Sequence, residues 1–97
     1  MRIMISQPMG NRSPERIRWE RKELVEELQK QGHYVLDTIF TEEAPKGCDE
    51  RIYYLAKSIE AIGKADAVIF MPGWQDARGC RIEHEVALKY GKIIKEI

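Results

Sequence analysis

A carboxylate set among apolar residues on one helical face is the feature of this sequence that points most directly to chemistry. Residues 80 to 90 run Cys-Arg-Ile-Glu-His-Glu-Val-Ala-Leu-Lys-Tyr, with apolar positions at helical spacing. At roughly 100° per residue and with Ile82 set at zero, Val86, Tyr90 and Ala87 fall at roughly 40°, 80° and 140°, and Glu83 falls at roughly 100°. Glu83 therefore lies inside the apolar arc, whereas His84 and Glu85 lie outside it. Two readings stand. A first-turn glutamate stabilises the helix dipole at any orientation; a carboxylate turned toward a sheet and away from water is otherwise a group held for a task.

Other chemistry-bearing residues gather in two loops, Gln7 to Ser13 and Pro72 to Gly79. Gly10, Gly73 and Gly79, with the backbone donors of Ser6, Gln7 and Asn11 in the loop that Pro8 shapes, suit a small polar ligand, although neither loop matches a dinucleotide fingerprint or a phosphate loop. Arg12 and Arg78 flank the loops and suit a phosphate, or are solvated surface arginines. Trp74, with Met9 and Met71, suits stacking on a base, or is a partly buried loop tryptophan. Asp76 suits a sugar hydroxyl or a leaving base, or is an exposed turn residue. Cys48 and Cys80 read as free thiols, and His33 and His84 lack metal-ligand spacing, so neither a metal nor a cofactor is expected.

These groups need a scaffold that brings the loops together. Arg2 to Ser6 reads as a buried strand, Ser13-Pro14 opens a helix with Ile17, Leu24, Val25 and Leu28 on its stripe, and Gly32 closes it. Tyr34 to Phe40 reads as a second strand and Thr41 to Asp49 as a loop. A second helix carries Ile52, Leu55, Ala56, Ile59 and Ile62 to about Gly63. Ala67 to Met71 is a strand covered on both faces, residues 80 to 90 a third helix, and Lys92 to Ile97 a last strand. Alternation of strand and helix predicts an α/β fold: a three-layer, flavodoxin-like single domain over 1–97, with a four-stranded parallel sheet in the order 2-1-3-4. The two loops then meet at the carboxyl ends of the first and third strands, where ligands of such sheets bind. Asp66 starts the third strand, away from the site, and reads as structural.

With 97 residues, 16 basic against 16 acidic side chains and no net charge, the chain offers no field for a nucleic-acid polymer or an anionic membrane. No apolar run nears the roughly 18 residues of a membrane span, and the start lacks a signal-peptide pattern, so the expected location is cytoplasmic. An open sheet edge on so small a domain predicts a homodimer or higher homo-oligomer.

Ala65-Asp66, then Gly79-Cys80-Arg81-Ile82-Glu83-His84-Glu85-Val86-Ala87, then Gly91-Lys92 resemble the nucleoside 2-deoxyribosyltransferase superfamily, which includes deoxynucleoside 5′-monophosphate glycosidases, and in particular a small phage and bacterial branch with a Pro-Gly-Trp loop. The resemblance implies that Glu83 attacks the anomeric carbon of a deoxyribosyl group while the base departs, as a carboxylate does in retaining glycosidases. The sequence departs from that pattern where Met4 replaces a tyrosine, Gln7 a small residue, Ser58 an aspartate and Ala77 a serine. The expected function is N-glycosidic cleavage or transfer on a nucleoside or nucleotide. The alternatives are a nucleotide-binding protein of the same fold that has lost turnover, and an assembly protein.

Overall fold

The computed structural model describes residues 1–97. Its elements are β1 (Arg2–Ser6), α1 (Pro14–Lys30), β2 (Tyr34–Val35), α2 (Glu50–Lys64), β3 (Ala67–Phe70), α3 (Arg78–Lys89) and β4 (Ile93–Glu96), with one 3₁₀ turn at Trp74–Asp76. The sheet is all parallel in the order β2-β1-β3-β4, as the strand-helix alternation predicts.

Strand alternation divides the core. Ile3 and Ile5 of β1, with Ala67 and Ile69 of β3, meet Leu24, Val25 and Leu28 of α1. Met4, Val68 and Phe70 point the other way, toward Ile62 of α2 and Ala87 of α3. Thus α1 covers one face, α2 and α3 the other, and successive residues of β1 send side chains into different layers. At its carboxyl end this places Ser6 among the α3 layer and Gln7 among the α1 layer, a split that governs the site.

Local chemistry sets the element ends. The Ser13 hydroxyl accepts from the Arg16 N–H at 3.2 Å and Pro14 takes the first helical position. Asp49 caps α2 by accepting from the Arg51 N–H at 2.9 Å. Asp66 receives the Arg2 N–H at 2.8 Å, which ties the start of β3 to that of β1, in keeping with a structural role.

Three expectations need correction. The second strand covers only Tyr34–Val35 and not residues 34 to 40. Asp37 accepts the Ile39 N–H at 3.0 Å, an Asx turn that bends the chain away from the ladder, and the Thr38 hydroxyl donates to the Ile5 carbonyl at 3.4 Å, where a strand amide would have bonded. On α2 the inward side is Leu55, Ser58, Ala61 and Ile62, while Ile52, Ala56 and Ile59 face out. On α3 the buried residues are Cys80, Glu83 and Ala87. Ile82 and Tyr90 lie exposed, Tyr90 at 79%, because the packed face is centred on Glu83 and not beside it.

Candidate functional site

The helix that carries Glu83 begins two residues earlier than its apolar pattern suggests, at Arg78. Glu83 therefore sits in the second turn, beyond most of the dipole's reach, and capping does not explain it. Its side chain is 8% exposed. The Ser6 hydroxyl donates to its Oε1 at 3.3 Å, and Gly79 borders its Oε2, which an added Cβ would meet at an ordinary contact distance of 3.8 Å. Burial pushes the Glu83 carboxyl up to about 7, against the opposing pull of the Ser6 hydrogen bond and the Arg21 charge. Beside it, burial pushes the Cys80 thiol up to about 11, which keeps it protonated and unreactive at neutral pH.

Glu83 lies at the bottom of a cleft of about 330 Å³ at the carboxyl end of β1. One wall is Met9, Gly10 and Gln7; another is Thr38 and Phe40 of the segment that leaves β2; α2 gives Arg51, Tyr54, Leu55 and Ser58; the first turn of α3 gives Arg78, Gly79 and Cys80. Ala77 precedes that turn with an extended backbone and no capping side chain, so the first N–H groups of α3 are uncapped at the cleft. Arg51 is clamped by Asp49, with Nη2 to Oδ2 at 2.8 Å, and this hydrogen bonding holds Asp49 down to about 2. Arg78 carries no ion pair.

The structure brings Ser6, Gln7, Gly10, Arg78 and Gly79 to Glu83 and separates the rest of the expected set from it. Pro8 and Arg12 line a second groove with Trp19, Met71 and Pro72. Arg12 is held there by the Pro8 carbonyl and by Glu20 at 3.4 Å. Asn11 turns this loop with φ 58°. Gly73, at φ 89°, places the 3₁₀ turn against Pro8. Trp74 stacks on His84 at 4.2 Å and packs on Phe70 at 5.4 Å, so its ring is part of the α3-side core and not of the Glu83 cleft. His84, in turn, is half-buried and meets Glu96 at 2.8 Å. Asp76 is exposed on the turn and does not line the cleft. Gln7 reaches the cleft, but its amide is engaged on the α1 side: Oε1 accepts from Arg21 Nε at 2.8 Å and Nε2 donates to the Ile17 carbonyl at 3.3 Å.

Sequence reasoning missed Thr38, Phe40, Arg51 and Tyr54 of the lining, and behind Gln7 and Thr38 the buried Arg21, which is 4% exposed and does not itself line the cleft. A signal for Arg21 was present: it falls four residues after Ile17 and three before Leu24, within the apolar stripe of α1, the same test that singles out Glu83. No cluster of three or more metal-ligating side chains occurs, and no helix is long and apolar enough to cross a membrane.

No curated protein matches this sequence. The family model described as Domain of unknown function (DUF4406) matches residues 1–96, and the chain belongs to that family.

Proposed function

We propose that the cleft binds a nucleoside or nucleotide and that Glu83 acts on its N-glycosidic bond. The observation that carries this reading is a buried carboxylate with no ion pair, held by the Ser6 hydroxyl beside Gly79 at the floor of a cleft at the strand ends. A Glu83 oxygen would form a bond to the anomeric carbon as the carbon–nitrogen bond breaks, and water would then release the sugar from the resulting ester. Resemblance to nucleoside 2-deoxyribosyltransferases supports the same chemistry. Attack requires the ionised carboxylate, so with Glu83 near 7 turnover should rise through neutral pH.

A specific observation favours a second reading, a nucleotide-binding protein without turnover. Glu83 is the only acidic residue lining the cleft, whereas retaining glycosidases pair a nucleophile with a second carboxyl acid about 5 Å away. Asp76 does not supply it. Base release from a panel of deoxynucleosides and their 5′-monophosphates, followed by chromatography, separates the two. Release that falls at least about a thousandfold in Glu83→Ala supports the glycosidic reading; calorimetric binding with no release supports the second. Uncapped N–H groups at α3 and the unpaired Arg78 supply anion contacts, so 5′-monophosphates should bind roughly 10- to 150-fold more tightly than the matching nucleosides. Equal affinities would remove the phosphate from this reading.

A further inference from the structure

We infer that Arg21 is a positioning residue of the Glu83 cleft: from the opposite layer of the sheet it fixes Thr38 and Gln7, two residues of the cleft lining, and supplies the buried positive charge that steadies the Glu83 carboxylate. Its guanidinium forks between two walls. Nε donates to Gln7 Oε1 at 2.8 Å and Nη1 donates to Thr38 Oγ1 at 3.2 Å. Thr38 passes the contact on to the Ile5 carbonyl at 3.4 Å, and Gln7 is anchored to α1 through the Ile17 carbonyl at 3.3 Å. The carboxyl end of β1 is thus tied to α1 through one cation, directly at Gln7 and by way of Thr38 at Ile5.

Packing does not account for this arginine. It occupies the apolar stripe of α1 near Ile17, Leu24 and Val25, where a leucine or methionine would fill the space. The guanidinium instead leaves Nη2 buried with no partner, a loss that an apolar side chain would avoid. Arg18 of its own helix, exposed Asp37 beyond β2 and Glu83 of α3 are the charged groups that act on it. Glu20 of the same helix accepts from Gln7 Nε2 at 3.5 Å. Burial draws Arg21 down to about 10, so it remains cationic at neutral pH. Around Glu83 itself stand the Ser6 hydroxyl, the protonated Cys80 thiol and, at the mouth, Arg51 and Arg78. Glu83 has no ion pair of its own, and Arg21 is the cation whose attraction opposes its burial.

The inference rests on Glu83 being the working group of the cleft, as read above, but not on turnover. Carboxyl-carbon NMR titration of Glu83 in the wild type, Arg21→Met and Arg21→Lys tests it. In Arg21→Met the Glu83 midpoint should rise by on the order of half a pH unit or more. In Arg21→Lys it should stay near the wild-type value while the Thr38 and Gln7 amide signals move, because an ammonium keeps the charge and cannot hold both acceptors in a planar fork. A filler of core volume would leave the titration unmoved, and that result, or a lysine variant that titrates like the methionine one, would overturn the inference. Should Arg21→Met fail to fold, the wild type still decides. The Arg21 Nε–H resonance should step with the Glu83 midpoint and lose that step in Glu83→Gln; no step would overturn it. Base release with an unmoved midpoint would sink this inference alone, whereas a moved midpoint without base release would sink only the glycosidic reading.

Discussion

Glu83 holds its proton to a higher pH in the folded protein than in the unfolded chain, and this ties stability to pH. Its ordinary value of 4.5 rises to about 7 on folding. Below 4.5 both states are protonated and the group is neutral to stability. Between the two values the unfolded chain has lost the proton while the native state keeps it, so stability falls as pH rises, by roughly 1.4 kcal/mol per unit and of order 3 kcal/mol at most in total. Above the folded value the loss is complete. Glu83→Gln carries no such burden and can still accept from Ser6. It should match the wild type near pH 4.5 and exceed it progressively up to about pH 7.5, a window set by the shift of Glu83. Denaturant unfolding across that range is the check; a constant difference between the two proteins would show that Glu83 is not buried in its charged form.

At the scale of elements, the bare N-terminus of α3 is the exception among the three helices, since Ser13 and Asp49 cap the other two. Ala77 already has the extended backbone of a capping residue, with φ −104° and ψ 119°. Ala77→Ser should therefore stabilise the protein by about 1 kcal/mol, read as a higher Tm. An unchanged or lower Tm would mean that those N–H groups already have partners. Much of this layer was legible in the sequence: Ser13-Pro14, the continuous run Ala67 to Met71, of which Ala67–Phe70 form β3, and the glutamate within the stripe of α3 each express a local rule. What was not legible depends on neighbours. Residues 36 to 40 have strand composition, yet Asp37 and Thr38 offer side-chain hydrogen bonds that replace the ladder, and only the position of β1 decides between the two. Periodicity misplaces the inward sides of α2 and α3, because it presumes that apolar residues go inside whereas Ile52, Ile59, Ile82 and Tyr90 remain in solvent. A loop tryptophan suits stacking on a base by composition alone, yet Trp74 packs on His84 and Phe70, neighbours that only the fold supplies.

Those outward apolar residues matter for the molecule as a whole. The accessible surface is 6505 Å², above the about 5,700 Å² that scaling gives for a compact monomer of this mass. Ile52 and Leu55 of α2 and Ile82 of α3 share one shallow groove beside the cleft, and β4 leaves a free sheet edge with Ile93 exposed. A homodimer that covers this surface is the expected state in solution. Light scattering at micromolar concentration should give twice the chain mass, Ile82→Glu should reduce it to that of one chain, and a single-chain mass for the wild type would refute the dimer. The central claim remains the role of Glu83, and the most direct measurement is intact and peptide-resolved mass spectrometry after incubation with deoxynucleoside 5′-monophosphates. A deoxyribosyl phosphate adduct on the peptide containing Glu83 in the wild type, absent in Glu83→Gln, is the predicted result; base release that persists undiminished in Glu83→Gln, or an adduct on another residue, would contradict it.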